Sequence, residues 1–324
     1  MFIWLKYSLK LNDNVTVKPF IWSLFNWRPK EGQIPIAKQE VLLKQGIDQD
    51  ELKLYINYHY KKFTCFMLIY ISLAQILQSF APDVSDIPYP IRVIKFYYDG
   101  TPFISLFVLL YCYIYACMIC SSMTYLHEIF IIISAHLLSH IYSTPNSLLH
   151  TKLTTDQLDS LKLWLISFLF YSNPIYNHPY LSQSPKDLWH NRWHQLFRIF
   201  FVELGYKPTC HILSFAPIKL QRFFSILAAF TVSGILHEYI LYCSNRYFTL
   251  EQLSYFWFNA IVLIIWELSI NSKEEKTKGQ EYLLKKIRNS LFMNIFAIFT
   301  IPWFIEPYIR CEHYNTAMHF VKKN

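Results

Sequence analysis

An all-α bundle of membrane-crossing helices is the fold this sequence predicts, and three observations predict it. Hydrophobic residues make up 53% of the 324-residue chain and charged residues only 16%, against roughly 25% charged in a typical soluble domain. The apolar residues gather into separate runs close to the roughly 20 residues that cross a bilayer. Glycine is scarce at 6, whereas phenylalanine and tyrosine number 27 and 24, an aromatic excess at home in a lipid-facing bundle.

The elements follow in order. Met1–Lys62 is mixed, punctuated by Pro19, Pro29, Gly32 and Pro35; it reads as a membrane-skirting or cytoplasmic segment with a polar helix around Gln39–Tyr60. Phe63–Phe80 is the first span. Phe103–Met123 and Thr124–Tyr142 form one apolar run with Glu128 as its single charge. As one helix that run would be about 60 Å long, twice the hydrocarbon thickness, so two spans with a turn between them are expected. Leu161–Tyr176 is a weaker span interrupted by Asn173–Pro174. Phe223–Cys243, Leu253–Ile270 and Leu291–Ile309 complete a set of about seven. The expected organisation is an N-terminal segment 1–62, one membrane domain 63–309 and a tail 310–324.

Loop charge orients such a bundle. Met1–Lys62 carries ten Lys and Arg, Ser184–Arg222 six and Ser272–Arg288 six, against seven in the four alternate loops together. Seven spans put the three basic segments on one face, the cytoplasmic one. The net charge of +8 is therefore assigned to bilayer orientation and not to nucleic acid. The patch Met1–Leu9 is broken by Lys6 and too short for a leader, so no cleavable signal is expected. The spacing Cys117–Cys120 lies on an expected span without a second pair, and reads as two small apolar side chains.

Two motifs carry chemistry. In the apolar run Phe223–Cys243, the setting SGILHEYIL holds His237 and Glu238. Ionisable residues inside a membrane helix are costly and mark function by default; the alternative is that the pair only ties helices together. The second is Ser184–Arg198, SPKDLWHNRWHQLFR. Ser184 suits the N-cap, Pro185 the first helical position, and Asp187 the capping-box acid. Leu188, Trp189, Arg192, Trp193, Leu196 and Phe197 recur at helical spacing, and Asp187, His190, Asn191, His194 and Arg198 mark another face. An amphipathic interfacial helix over Ser184–Arg198 is expected, with a plain interfacial anchor as the alternative. The i, i+4 pairs His190/His194 and His136/His140 are compatible with a metal, but the chain has no adjacent histidine pair and too few such boxes; no metal site is assigned.

The order S-P-x-D-L-W-x-x-R-W-H-Q and, some forty residues later, S-G-I-L-H-E resembles the wax-synthase-like branch of the membrane-bound O-acyltransferase family. Its first motif reads S-x-x-D/E-F-W-x-R-R-W-N or W-H, and its second S-G-x-x-H-E. The resemblance covers roughly Pro19 to Pro307, with Asn26–Pro35 in the place of an early Arg-Gly segment. It implies an intramembrane reaction chamber, acyl transfer from acyl-CoA to a hydroxyl, no further cofactor, and residence in the endoplasmic reticulum membrane. It also implies that His237 is the catalytic histidine and that His194 stands where many members carry Asn. Asn191 replaces a common Arg and Leu188 a common aromatic. The N-terminal part is short by a span or more, which leaves the completeness of the bundle open.

The chemistry follows. An alcohol is a poor nucleophile near neutral pH, and an imidazole within hydrogen-bond reach can take its proton as it attacks. A donor must meet the developing oxyanion; His194 ranks first, with Asn191 and Trp193 as alternatives. Trp189, Arg192, Trp193, Arg198 and Glu238 complete the expected substrate-binding set. Glu238 points about 100° away from His237 along a helix and has a neighbouring helix as its other destination. Lys186, Arg192, Arg198, Lys207, Lys219 and Arg222 suit either CoA phosphates or anionic headgroups. The expected product is a wax ester from a long-chain alcohol. The alternatives are short-chain transfer to a small alcohol, a transporter or scaffold, and a folded but inactive acyltransferase.

Overall fold

The computed structural model describes residues 46–144, 148–171, 174–270 and 280–311. The Asn26–Pro35 segment and nearly all of the tail lie outside the described residues. In chain order the helices are α1 (Gln49–Ser79), α2 (Tyr89–Asp99), α3 (Leu106–Ser143), α4 (Leu148–Lys152), α5 (Thr155–Tyr171), α6 (Pro185–Asp187), α7 (Gln195–Phe201), α8 (Lys207–Ile212), α9 (Ile218–Asn245), α10 (Glu251–Ile270) and α11 (Gln280–Arg310). Wider π turns, Leu188–Arg192 and Val202–Tyr206, flank α7. No strand occurs among the described residues, so the chain is an all-α membrane protein. Among the described residues four helices are long and apolar enough to cross a bilayer: Gln49–Ser79, Leu106–Ser143, Ile218–Asn245 and Leu283–Arg310.

The seven expected spans fall on six helices, because the turn expected between Met123 and Thr124 does not occur. Leu106–Ser143 is one helix of 38 residues, about 57 Å long at 1.5 Å per residue. Bilayer thickness argued for a turn, but the segment contains neither glycine nor proline to make one. With one helix in place of two, loop charge no longer puts the three basic segments on a single face.

The described residues form two units. One comprises 46–71 and 119–175 and packs Leu52 and Ile56 of α1 against Ile131, Ala135, Leu138 and Ile141 of α3 and Leu165, Ile166 and Leu169 of α5. The Tyr55 hydroxyl donates to the Leu169 carbonyl at 2.9 Å. Glu128, the single charge of the Phe103–Tyr142 run, lies in this unit. It is mid-helix and fully buried, where it meets the Lys62 ammonium at 2.7 Å and the His59 ring. His59 and Lys62 are three apart on α1 and so share a face. A carboxylate at that depth persists only with such partners.

The other unit comprises 72–118 and the described residues from 176 onward. α9 packs along α10, and the turn Val202–Tyr206 packs on α9. A Cβ at Gly205 would stand 2.7 Å from Ala229 Cα, so the lack of a side chain there sets how near the turn lies. α11 contains Pro302 and Pro307, each of which removes a backbone donor and opens the helix. The carbonyl three residues before each proline is taken by a side chain: Tyr89 donates to Phe299 at 2.6 Å, and Gln252 to Phe304 at 2.7 Å. Neighbouring elements thus hydrogen-bond α11 within the turns that its prolines distort. Arg310 grips Glu251 with two hydrogen bonds at 2.6 and 2.8 Å, and Arg92 pairs with Glu306.

Candidate active site

His237 lies on α9, partly buried. Its ring stacks on Phe256 of α10, with centroids 4.9 Å apart and planes at 21°, and meets the edge of Phe304 of α11 at 5.1 Å and 79°. Rings from two helices therefore hold the imidazole of a third. Apolar walls leave its polar behaviour to whatever enters beside it.

Glu238 points elsewhere, as helical geometry requires of the next residue. It is buried, and its Oε1 accepts from the backbone N–H of Gln252 at 2.8 Å and of Leu253 at 3.3 Å. The first N–H groups of any helix lack intrahelical partners. Glu238 supplies an acceptor for two of them at the start of α10. Of the two destinations open to Glu238, substrate or neighbouring helix, its carboxylate occupies the second.

Gly234 makes that reach possible. A Cβ there would stand 2.8 Å from Leu253 Cα, closer than side chains tolerate. The S-G of the motif is thus a contact between helices, one turn before His237.

The Ser184 motif begins as its residues predict. The Ser184 hydroxyl accepts from Asp187 N–H at 3.0 Å, and Asp187 Oδ2 accepts from Gln183 N–H at 3.1 Å, a reciprocal cap. Asp187 also receives Arg192 Nε at 2.7 Å and Asn191 Nδ2 at 3.2 Å. Arg192 Nη1 donates in addition to the carbonyls of Asn177 and His178 at 3.2 and 3.3 Å. Burial opposes ionisation of Asp187, but these hydrogen bonds outweigh it and hold its pKa below the usual carboxylate range. Asn191 and Arg192, expected at the reacting groups, are committed to Asp187. Arg198 engages the His190 ring at 2.8 Å.

The continuous helix expected over Ser184–Arg198 is broken. After the π turn the chain bends at Trp193, and His194 takes φ 47°, the left-handed region, before α7 begins. Such a backbone is uncommon for a residue other than glycine and gathers at functional sites. His190 and His194 consequently do not share a helical face. The His194 ring meets Tyr176 edge-on at 5.9 Å and lies over Phe197 at 4.7 Å. Its Nδ1 is buried without a hydrogen-bond partner among the described residues, and burial lowers its pKa to about 4. It is a neutral imidazole at physiological pH with a polar atom held ready for something else.

The two motifs converge on one ring. Trp189 packs against Phe256 at 6.0 Å and against Phe230 at 5.4 Å, so Trp189 and His237 share Phe256. Trp193 lies 6.3 Å from Trp189. His194 is close enough to His237 for charge on one to be felt by the other. The structure therefore brings His237, His194, Trp189 and Trp193 into one neighbourhood, and leaves Asn191, Arg192, Arg198 and Glu238 in supporting contacts. Lys186 and Arg222 both reach Glu267, at 3.5 and 3.0 Å. Phe256, Phe304 and Gln252 were not singled out by the sequence. Each sits in an aromatic, apolar helix with no periodicity to mark it, and only the crossing of α9, α10 and α11 gives it a role.

Residues 172–260 match the family described as "Membrane bound O-acyl transferase family". Over 146 residues the chain is 25% identical to acyl-CoA–sterol O-acyltransferase 1 of Arabidopsis thaliana, a stretch covering 45% of this chain and 41% of that protein. Over 74 residues it is 32% identical to the long-chain-alcohol O-fatty-acyltransferase of Simmondsia chinensis, covering 22% of this chain and 21% of that protein. The chain spans less than half the length of these curated relatives. The family match contains both motifs and Phe256, the ring that joins them. Residues 172–260 are thus similar to the membrane-bound O-acyltransferase family, and part of the chain is similar to a long-chain-alcohol O-fatty-acyltransferase.

Proposed function

We propose that this protein transfers an acyl group from acyl-CoA to an alcohol hydroxyl, with a long-chain alcohol as acceptor and a wax ester as product. The observation that carries the reading is the meeting of the two motifs at Phe256, against which both His237 and Trp189 pack. His237 takes the hydroxyl proton as the alcohol oxygen attacks the thioester carbonyl carbon. The carbonyl oxygen then bears negative charge, which a nearby donor stabilises. His194, with its unpartnered buried Nδ1, is the first choice for that donor. On collapse the C–S bond breaks, and the imidazolium returns the proton to the CoA thiolate. Ester and CoA thiol are the products, and His237 ends neutral.

The apolar rings around His237 suit this task by excluding water, which would otherwise compete with the alcohol for the thioester. An integral membrane site also suits two substrates with lipid tails. We place the protein in the endoplasmic reticulum membrane on the same reading. A sterol hydroxyl is the competing acceptor, favoured by the longer matched stretch to the sterol O-acyltransferase. Membranes bearing the chain, supplied with labelled acyl-CoA and separately with long-chain alcohols, short alcohols and sterols, decide between them. Ester formation that falls by about 100-fold or more in His237→Ala at unchanged protein level supports the assignment. Equal ester formation in wild type and variant refutes it.

A further inference from the structure

Beginning at His237 and Glu238, adjacent residues on α9, a set of contacts leads out through two other helices and back. Glu238 Oε1 accepts the Gln252 N–H at 2.8 Å. The Gln252 side chain donates to the Phe304 carbonyl at 2.7 Å. The Phe304 ring lies against His237. Phe256, four residues after Gln252 and so on the same face of α10, stacks on that imidazole and touches Phe304 edge-on at 6.1 Å. Glu238 and Gln252 are both almost fully buried, with 3% and 0% exposure, where a polar side chain is retained only if it is held. The Gln252 amide also meets α11 at the carbonyl three residues before Pro307, a place where the helix cannot hold its own line.

We propose that Glu238 and Gln252 are positioning residues for His237. The carboxylate fixes the first turn of α10, the amide fixes the opened turn of α11, and together they set the two rings that orient the imidazole. This deepens the reading of His237 as the base and rests on it. The glutamate of the H-E pair thus acts through hydrogen-bond acceptance at a helix start and takes no part in proton transfer.

The test compares Glu238→Gln, Glu238→Ala and Gln252→Met in the full chain, in membranes and after detergent extraction. Glutamine keeps an oxygen acceptor for the two N–H groups, alanine removes it, and methionine removes only the amide. Two measurements are made on folded protein: kcat and KM for ester formation, and the rate at which diethyl pyrocarbonate modifies His237, followed by mass spectrometry at that residue. Glu238→Ala and Gln252→Met are expected to lower kcat by about tenfold to a hundredfold, as misplacement of a reacting group does, with little change in KM. Both are also expected to change the modification rate of His237. Glu238→Gln is expected to keep both values near those of wild type.

A Glu238→Gln variant that is folded yet as inactive as Glu238→Ala overturns the proposal, because the charge and not the acceptor would then matter. Unchanged kcat and unchanged His237 modification in Gln252→Met also overturn it, and that variant carries the test if Glu238→Ala does not accumulate. Should wild type form no ester with any acceptor, the proposed function fails, and the His237 modification rates still decide the positioning claim.

Discussion

Replacing Gly234 by alanine displaces His237 without touching it. The new Cβ would stand 2.8 Å from Leu253 Cα and from Leu253 Cδ1, where ordinary contact begins at 3.4 Å. The leucine side chain can rotate away, but the backbone atom cannot, so α9 and the start of α10 must part by about 0.6 Å. That movement stretches the 2.8 Å bond from Gln252 N–H to Glu238 to about 3.4 Å, beyond the usual range. Overpacking costs about 1–3 kcal/mol, and alanine in place of glycine returns about 1 kcal/mol of helix propensity. A net loss of about 0–2 kcal/mol leaves the protein folded. Catalysis suffers more: a misplacement of 1 Å costs about 100-fold, so about 0.6 Å costs on the order of tenfold. The assay is ester formation per folded molecule, with folded protein counted by size-exclusion chromatography of a fluorescently tagged chain. Wild-type turnover with an unchanged melting temperature would refute the close approach. A lower melting temperature with unchanged turnover per folded molecule would confine Gly234 to stability.

His194 gives the protein a pH dependence of known sign. Its pKa in the fold is about 4, lowered by burial, against about 6.5 in an unfolded chain. Between those values the unfolded state binds more protons, so stability falls as pH falls through this window and is flat above it. His194→Asn is expected to remove that slope, read as a smaller difference between melting temperatures at pH 5 and pH 7.5; an unaltered difference counts against the burial of this ring. Glu251→Gln leaves the Arg310 guanidinium, only 5% exposed, without the charge that grips it twice. A loss of about 3–5 kcal/mol is expected, seen as a strongly lowered melting temperature in detergent, and an unchanged melt would mean that the pair is not buried.

The helical character was legible because it depends on length and composition, which are local. The caps at Ser184 and Asp187 were legible for the same reason: both partners lie within four residues of one another. His237 stood out because an ionisable residue in an apolar run has few reasons to be there. Other features escaped. Hydropathy measured Phe103–Tyr142 as too long for one span, yet it carries no information on whether a long helix turns back or continues. Only the absence of glycine and proline argued for continuation. The break at His194 escaped because the π turn before it leaves the tryptophans at nearly helical spacing, so Trp189 and Trp193 look the same on either backbone.

Residue type and spacing determined the class of fold, the two motifs and the histidine proposed as the base, since each rests on interactions between neighbours in the chain. Which residue serves which task was decided in three dimensions. Asn191 and Arg192 went to Asp187, Glu238 to the start of α10, and Phe256 to the meeting point of both motifs. Those partners lie on other turns and other helices. A glycine with no side chain and a helix opened by proline determined how closely they came, and helical periodicity in one segment carries no record of that distance.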